Sequence, residues 1–155
     1  MIRVQREDFD PGREIAALSG GNHAIGGLVV FVGLVRDMAP EGGLSAMTLE
    51  HYPGMTEKML TRIDEEAQAR WPLEASLVIH RYGRLEPGDR IVLVATASAH
   101  RQAAFEACQF LIDWLKTKAP FWKLEETPEG DKWVAARAGD DEAAERWLPV
   151  KKPAE

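Results

Sequence analysis

Residues 77–120 read LVIHRYGRLEPGDRIVLVATASAHRQAAFEACQFLIDWLKTKAP. Two apolar, β-branched runs, Leu77–Tyr82 and Arg90–Ala97, flank Glu86-Pro87-Gly88-Asp89. Proline presets a turn torsion and glycine supplies the positive one, so this tetrapeptide predicts a tight turn between two strands. From Ala99 to Lys118 the period changes. Phe105, Cys108, Ile112 and Leu115 recur at helical spacing and predict a long helix with one apolar stripe. Pro120 closes it. Two strands feeding one long amphipathic helix predict an α+β domain.

The flanks extend this pattern. Ile2 and Val4 alternate with charges, as in a short strand, and Asp10-Pro11 is an N-cap and first-turn pair for a helix over Arg13–Leu18. Ala24–Val35 reads as a buried strand. Leu44–Tyr52 alternates, and the two runs are expected to pair as a hairpin across the loop Ala39–Gly43. Met59, Leu60, Ile63 and Ala67 predict a second long helix over Met55–Arg70, ended by Pro72. Beyond Pro120, Phe121–Glu125 and Lys132–Ala136 predict a C-terminal hairpin. Asp140–Trp147 predicts a last short helix. The expected whole is a mostly antiparallel sheet with two main helices, one domain over residues 1–150, and a flexible tail at 151–155.

Size and composition set the function classes. A chain of 155 residues fits one domain with a real core. A formal net charge of −6 argues against general nucleic-acid binding, though not against a small basic pocket. The single cysteine, Cys108, allows no internal disulfide and makes a reducing, cytoplasmic setting the default. Cys108 falls on the buried stripe, where a thiol behaves as a small hydrophobe rather than a nucleophile. No apolar run approaches the roughly 18 residues that span a bilayer. His23, His51, His80 and His100 are scattered without metal-ligand spacing, and no phosphate-binding glycine loop or serine-hydrolase elbow occurs.

What chemistry remains is cationic. Ser98-Ala99-His100-Arg101 joins a strand to a helix N-terminus, an end that attracts anions. Arg101 opposes the local field there, and such violations tend to mark sites. Lys116 and Lys118 sit in the last helical turn, where helix physics alone places cations. Lys123 follows two aromatics on a strand. Period-two geometry puts Phe121, Lys123 and Glu125 on one face, which makes Lys123 a candidate acid-base group. Arg36, at the end of the first apolar strand, offers a planar fork for phosphate or carboxylate. Arg36, His100, Arg101, Lys116 and Lys123 are therefore candidates to line a pocket for an anionic ligand.

The same segments carry a resemblance. FVGLVRD (31–37), LEHYPGMTEK (49–58), IHRYGRLEPGD (79–89), SAHR (98–101), LKTKAPFWKLE (115–125) and TPEGDKWV (127–134) occur in the order of the large, catalytic subunit of molybdopterin synthase, and the chain resembles that family, known as MoaE. The resemblance implies an α/β hammerhead-type fold and a homodimer. Each copy would bind a small ubiquitin-like sulfur carrier, giving a heterotetramer. The carrier's C-terminal Gly-Gly thiocarboxylate would enter a pocket and transfer sulfur to cyclic pyranopterin monophosphate, forming the dithiolene of molybdopterin without a metal or organic cofactor. Residue by residue, Lys116 and Lys123 match the family's two functional lysines. Arg36, His100, Arg101, Glu125 and Arg137 match substrate-pocket positions. Leu34 departs from the pattern, standing where several relatives carry a polar or basic side chain. Two other readings stay open: a module that docks the carrier without turnover, and a phosphate-ester hydrolase using His100 and the lysines.

Overall fold

The structure, a computed structural model, describes residues 1–37, 43, 45–134 and 138–149. In chain order its elements are β1 (Ile2–Gln5), α1 (Pro11–Ser19), β2 (Gly27–Leu34), β3 (Ala46–His51), α2 (Met55–Arg70), β4 (Leu73–Arg81), β5 (Gly83–Leu85), β6 (Arg90–Ser98), α3 (Arg101–Lys118), β7 (Phe121–Thr127), β8 (Gly130–Val134) and α4 (Ala138–Glu145).

They form two four-stranded sheets rather than one. The first runs β1-β4-β6-β2 and the second β5-β3-β7-β8. Among the described residues only the β1–β4 pair is parallel, so the α+β, mostly antiparallel expectation holds. In the first sheet alternate residues serve opposite faces. Val78, Val92 and Val94 join Leu60, Ile63 and Ala67 of α2 and Cys108, Phe110, Leu111 and Leu115 of α3 in one buried cluster. Leu77, Ile79, Leu93 and Ala95 meet Phe9, with Leu18 of α1 packed alongside, on the other face. This is the period-two rule applied to a sheet covered on both sides. A third buried cluster, Val35, Met47, Leu49 and Leu85, belongs to the second sheet.

Local chemistry sets the element ends. The Asp10 carboxylate accepts from the Gly12 and Arg13 N–H groups and caps α1. Gly54 takes a φ of +83° before α2, where a side chain would be strained, and its N–H donates to the Glu57 carboxylate at 2.7 Å.

Two expectations need correction, and one strand was not expected. The predicted hairpin between Ala24–Val35 and Leu44–Tyr52 does not form. β2 pairs antiparallel with β6, and β3 pairs with β5 and β7. One run is continuously apolar and the other alternates, so pattern alone does not choose partners; residues 91–95 of β6 are apolar on both faces and lie between β2 and β4. Phe105 is 61% exposed and is not part of the buried stripe. That stripe centres on Ala104, Ala107, Cys108, Leu111 and Leu115, and Phe105 lies about 100° around the helix from Ala104. The short strand β5 was not foreseen, because Gly83, at φ +90°, interrupts the apolar alternation just before it. The loop expected at Ala39–Gly43 and the end of the final hairpin, Ala135–Ala136, fall largely outside the described residues, as does the 151–155 tail.

Candidate functional site

A cavity of about 670 Å³ opens where the first sheet, the second sheet and the C-terminal end of α3 converge. The end of β2 and the residues after it bring Phe31, Val35 and Arg36. β3 brings Met47 and Leu49, and β4 brings His80. The last turn of α3 brings Leu115 and Lys116. β7 brings Phe121, Lys123 and Glu125, and α4 brings Asp140. The result is a largely apolar hollow whose rim carries Arg36, Lys116 and Lys123 beside Glu125 and Asp140, a form suited to a small ligand with a charged group.

The lysines reach the hollow by different routes. Lys116 lies in the last turn of α3 beside Leu115, which is buried in the core, so packing of Leu115 fixes where that turn ends. Its Nζ lies 3.9 Å from Asp140 Oδ1. Lys123 comes from β7, paired across to Leu49 and Val134, and its Nζ lies 2.9 Å from Glu125 Oε1. The face shared by Phe121, Lys123 and Glu125 is the one the alternation predicted. Trp122, on the opposite face, is 42% exposed and packs edge-on to Tyr52. The Lys116–Asp140 contact is long and open to solvent, so Lys116 is a cation an incoming anion can recruit, whereas the closer Lys123–Glu125 pair is more shielded and holds Lys123 in place.

The structure brings Arg36, Lys116, Lys123 and Glu125 together at this pocket. It does not bring His100 and Arg101 there within one copy. They sit at the other end of α3, fifteen residues and about 22 Å of helix away from Lys116. That end is tightly built nonetheless. A Cβ on Gly26 would lie 2.2 Å from the Ala99 carbonyl oxygen, so only glycine lets the start of β2 lie against the Ala99–Arg101 corner. His100 is the N-cap residue, but its side chain makes no capping bond, and the first turn contains no acidic residue. His100 and Arg101 are both exposed. Arg137 lies outside the described residues. Leu34 lines the pocket rim and is 56% exposed.

Cys108 is 5% exposed, with its Sγ 3.9 Å from the Val94 carbonyl oxygen. Burial pushes its thiol up to about 11, against lesser opposing hydrogen bonds, so it stays protonated and unreactive at neutral pH. It does not line the pocket.

Sequence reasoning missed two pocket residues. His80 was counted only among scattered histidines, although the alternation of β4 indicates which face each side chain takes. Burial, first of all, pushes it down to about 4. Asp140 is in the first turn of α4, where acids are ordinary, and nothing local marks it as Lys116's neighbour.

Among the described residues no helix is long and apolar enough to cross a membrane. The comparisons with known proteins are consistent with one another. A family model described as MoaE protein matches residues 4–118. A Pseudomonas aeruginosa protein named molybdopterin synthase catalytic subunit is 58% identical over 146 residues, covering 94% of this chain and 97% of its own length. An Escherichia coli protein of the same name is 59% identical over 146 residues, with the same coverage of 94% and 97%. A solved structure, a molybdopterin biosynthesis MoaE protein from Burkholderia ambifaria, superposes with a TM-score of 0.82 at 54% identity, covering 95% of this chain and 97% of that one. The chain belongs to the MoaE family, the catalytic subunits of molybdopterin synthase, sulfur-transferring enzymes of molybdenum cofactor biosynthesis.

Proposed function

We propose that this chain moves sulfur from the thiocarboxylated C-terminus of a small ubiquitin-like carrier onto cyclic pyranopterin monophosphate, building the dithiolene of molybdopterin in the cytoplasm. The observation that carries this reading is the convergence of Arg36, Lys116 and Lys123 on one apolar hollow of an acidic protein. Both proposed guests are anions, and both also carry apolar surface. A narrow carrier tail fits such a hollow, and the flat pterin ring suits walls of Phe31, Val35 and Leu49.

In this scheme Lys116 pairs with the entering thiocarboxylate, exchanging its 3.9 Å contact with Asp140 for a ligand. Lys123, held by Glu125, exchanges protons as the thiocarboxylate sulfur attacks the pterin side chain, the carbon–oxygen bond to the cyclic phosphate breaks, and water then cleaves the acyl–sulfur bond to free the carrier tail as a carboxylate. Positioned acid-base groups contribute about 10²–10⁴-fold, and holding two reactants together contributes about 7–11 kcal/mol. The scheme uses no metal or organic cofactor.

The substrate phosphate is assigned to His100, Arg101 and the open N–H groups of the α3 N-terminus, with Arg137 as a further cation. Because α3 separates this corner from Lys116 by about 22 Å, a second copy of the chain must supply it. The working unit is then a homodimer, each pocket completed by the other copy's α3 start. With one carrier per copy the assembly is a heterotetramer. Residues 1–150 act as one domain, with 151–155 as a tail.

Mixing the chain with thiocarboxylated carrier and the cyclic precursor tests this in a single turnover. Appearance of the dithiolene product is expected. Carrier binding without product would instead identify a docking module, and release of inorganic phosphate without carrier would identify a hydrolase.

A further inference from the structure

His80 is 5% exposed yet lines the pocket beside Phe121 and Lys123. Its ring lies nearly flat on the Phe121 ring, with centroids 3.8 Å apart and planes 19° apart. Its Nδ1 is 2.8 Å from the Arg81 carbonyl oxygen. A carbonyl only accepts, so Nδ1 carries the hydrogen and the ring is held along one edge as well as across one face.

The placement of this stack matters more than its strength. β4 belongs to the first sheet and β7 to the second, and among the described residues no strand pairing joins the two sheets. The stack therefore ties them together at the pocket. Phe121 is the first residue of β7, three positions after the end of α3. Lys123 is two residues on, on the same face, about 7 Å along the strand. A displacement of Phe121 is passed to Lys123 almost unchanged.

We propose that His80 is a positioning residue for sulfur transfer: by stacking on Phe121 it fixes β7 where the strand enters the pocket, and so sets Lys123 against the reacting atoms. This rests on the role given to Lys123 above. Burial keeps the ring uncharged at neutral pH, so it supports the cationic site without adding to its repulsion. An aromatic ring is rigid, and catalytic groups tolerate only about 0.5 Å of drift.

The test uses the assembled enzyme with thiocarboxylated carrier and precursor, comparing His80→Leu, His80→Phe, Phe121→Leu and Lys123→Ala in single turnover. His80→Leu keeps apolar volume but cannot stack. It should slow the reaction by about 10–10²-fold, the scale of a misplacement near 1 Å, while the precursor concentration giving half-maximal rate stays unchanged. His80→Phe restores a ring and should recover most of the rate. Phe121→Leu should be as slow as His80→Leu, and the double variant no slower than either, as for residues acting through one contact. If His80→Leu does not fold, Phe121→Leu set beside His80→Phe carries the same comparison. Equal rates for His80→Leu and His80→Phe overturn the proposal, whether both are fast or both are slow. Fast His80 variants beside a slow Lys123→Ala would remove His80 alone. A fast Lys123→Ala would remove the role of Lys123 and that of His80 with it.

Discussion

The two ends of α3 carry cations for opposite reasons. At the C-terminal end Lys116 and Lys118 face a partial negative charge, and Lys116 also has a carboxylate nearby, so helix electrostatics alone accounts for them. At the N-terminal end Arg101 faces a partial positive charge. No acidic side chain stands in its first turn and no side chain caps it. The comfortable end opens onto the cavity, and the uncomfortable end is exposed. The lesson is that a residue placed against the local field needs a partner that is not yet there, whereas a residue placed with the field needs geometry to show its use.

The largest expected effect is at the C-terminal end. Lys116→Ala or Lys123→Ala should each lower single-turnover sulfur transfer by about 10²–10⁴-fold, the range for losing a positioned acid-base group. Near-normal rates in both would show that this end of the helix is merely well capped.

Next is the acid behaviour of the pocket wall. His80 is held at about 4 in the fold against 6.5 when free. The sign follows from which state takes the proton. Above pH 6.5 neither state is charged at this position. Between 6.5 and 4 only the unfolded chain protonates, so stability falls as pH falls, by roughly 3 kcal/mol in full. Urea titrations across that window should show the loss in the wild-type chain and its absence in His80→Phe. Asp8, held low chiefly by its hydrogen bond from Arg90, acts in a separate window below its usual 3.8.

The middle of α3 gives a smaller effect. Cys108→Ala should leave turnover unchanged and cost on the order of 1 kcal/mol, because the thiol is a small buried hydrophobe. A well-folded but inactive Cys108→Ala chain would overturn that burial argument.

The smallest effect distinguishes the ends directly. Arg101→Ala should stabilise the fold by about 0.3–1 kcal/mol, and Lys116→Ala should destabilise it by a similar amount, since each removes one cation from opposite poles of one dipole. Thermal melts at low ionic strength should show shifts of opposite sign. Shifts of the same sign would mean that local contacts outweigh the helix field.

Elements held by local rules were readable from the sequence. The bounds of α2 and the C-terminal end of α3 follow from apolar spacing and the prolines beyond them, and Asp10 caps α1 as its side chain requires. The C-terminal hairpin was readable and forms as β7–β8, whereas the partners of β2 and β3 were not readable. β2 is a continuous apolar run and β3 alternates, yet neither pattern names its partner: β2 lies beside β6 in one sheet and β3 between β5 and β7 in the other. The site divides in the same way. Lys123 and Glu125 share a face by strand period, and their 2.9 Å contact follows. The alternation of β4 gives the face of His80, but that this face meets the pocket, and that Asp140 does, comes from long-range packing. The distance between Arg101 and Lys116 was legible as fifteen helical residues. Its consequence, that one copy cannot hold both in one pocket, follows from the helix being unbroken.

On the proposed function, cations from both ends of α3 meet in one site built by two copies. Subunit complementation tests it. Lys123→Ala chains and Arg101→Ala chains are prepared separately, shown to be slow, then mixed, exchanged and assayed for dithiolene formation with thiocarboxylated carrier. Each mixed dimer should contain one intact site, with Lys123 from one copy and Arg101 from the other, so activity should return. Activity that stays at the level of the separate variants, in dimers shown to have exchanged, would contradict the shared site.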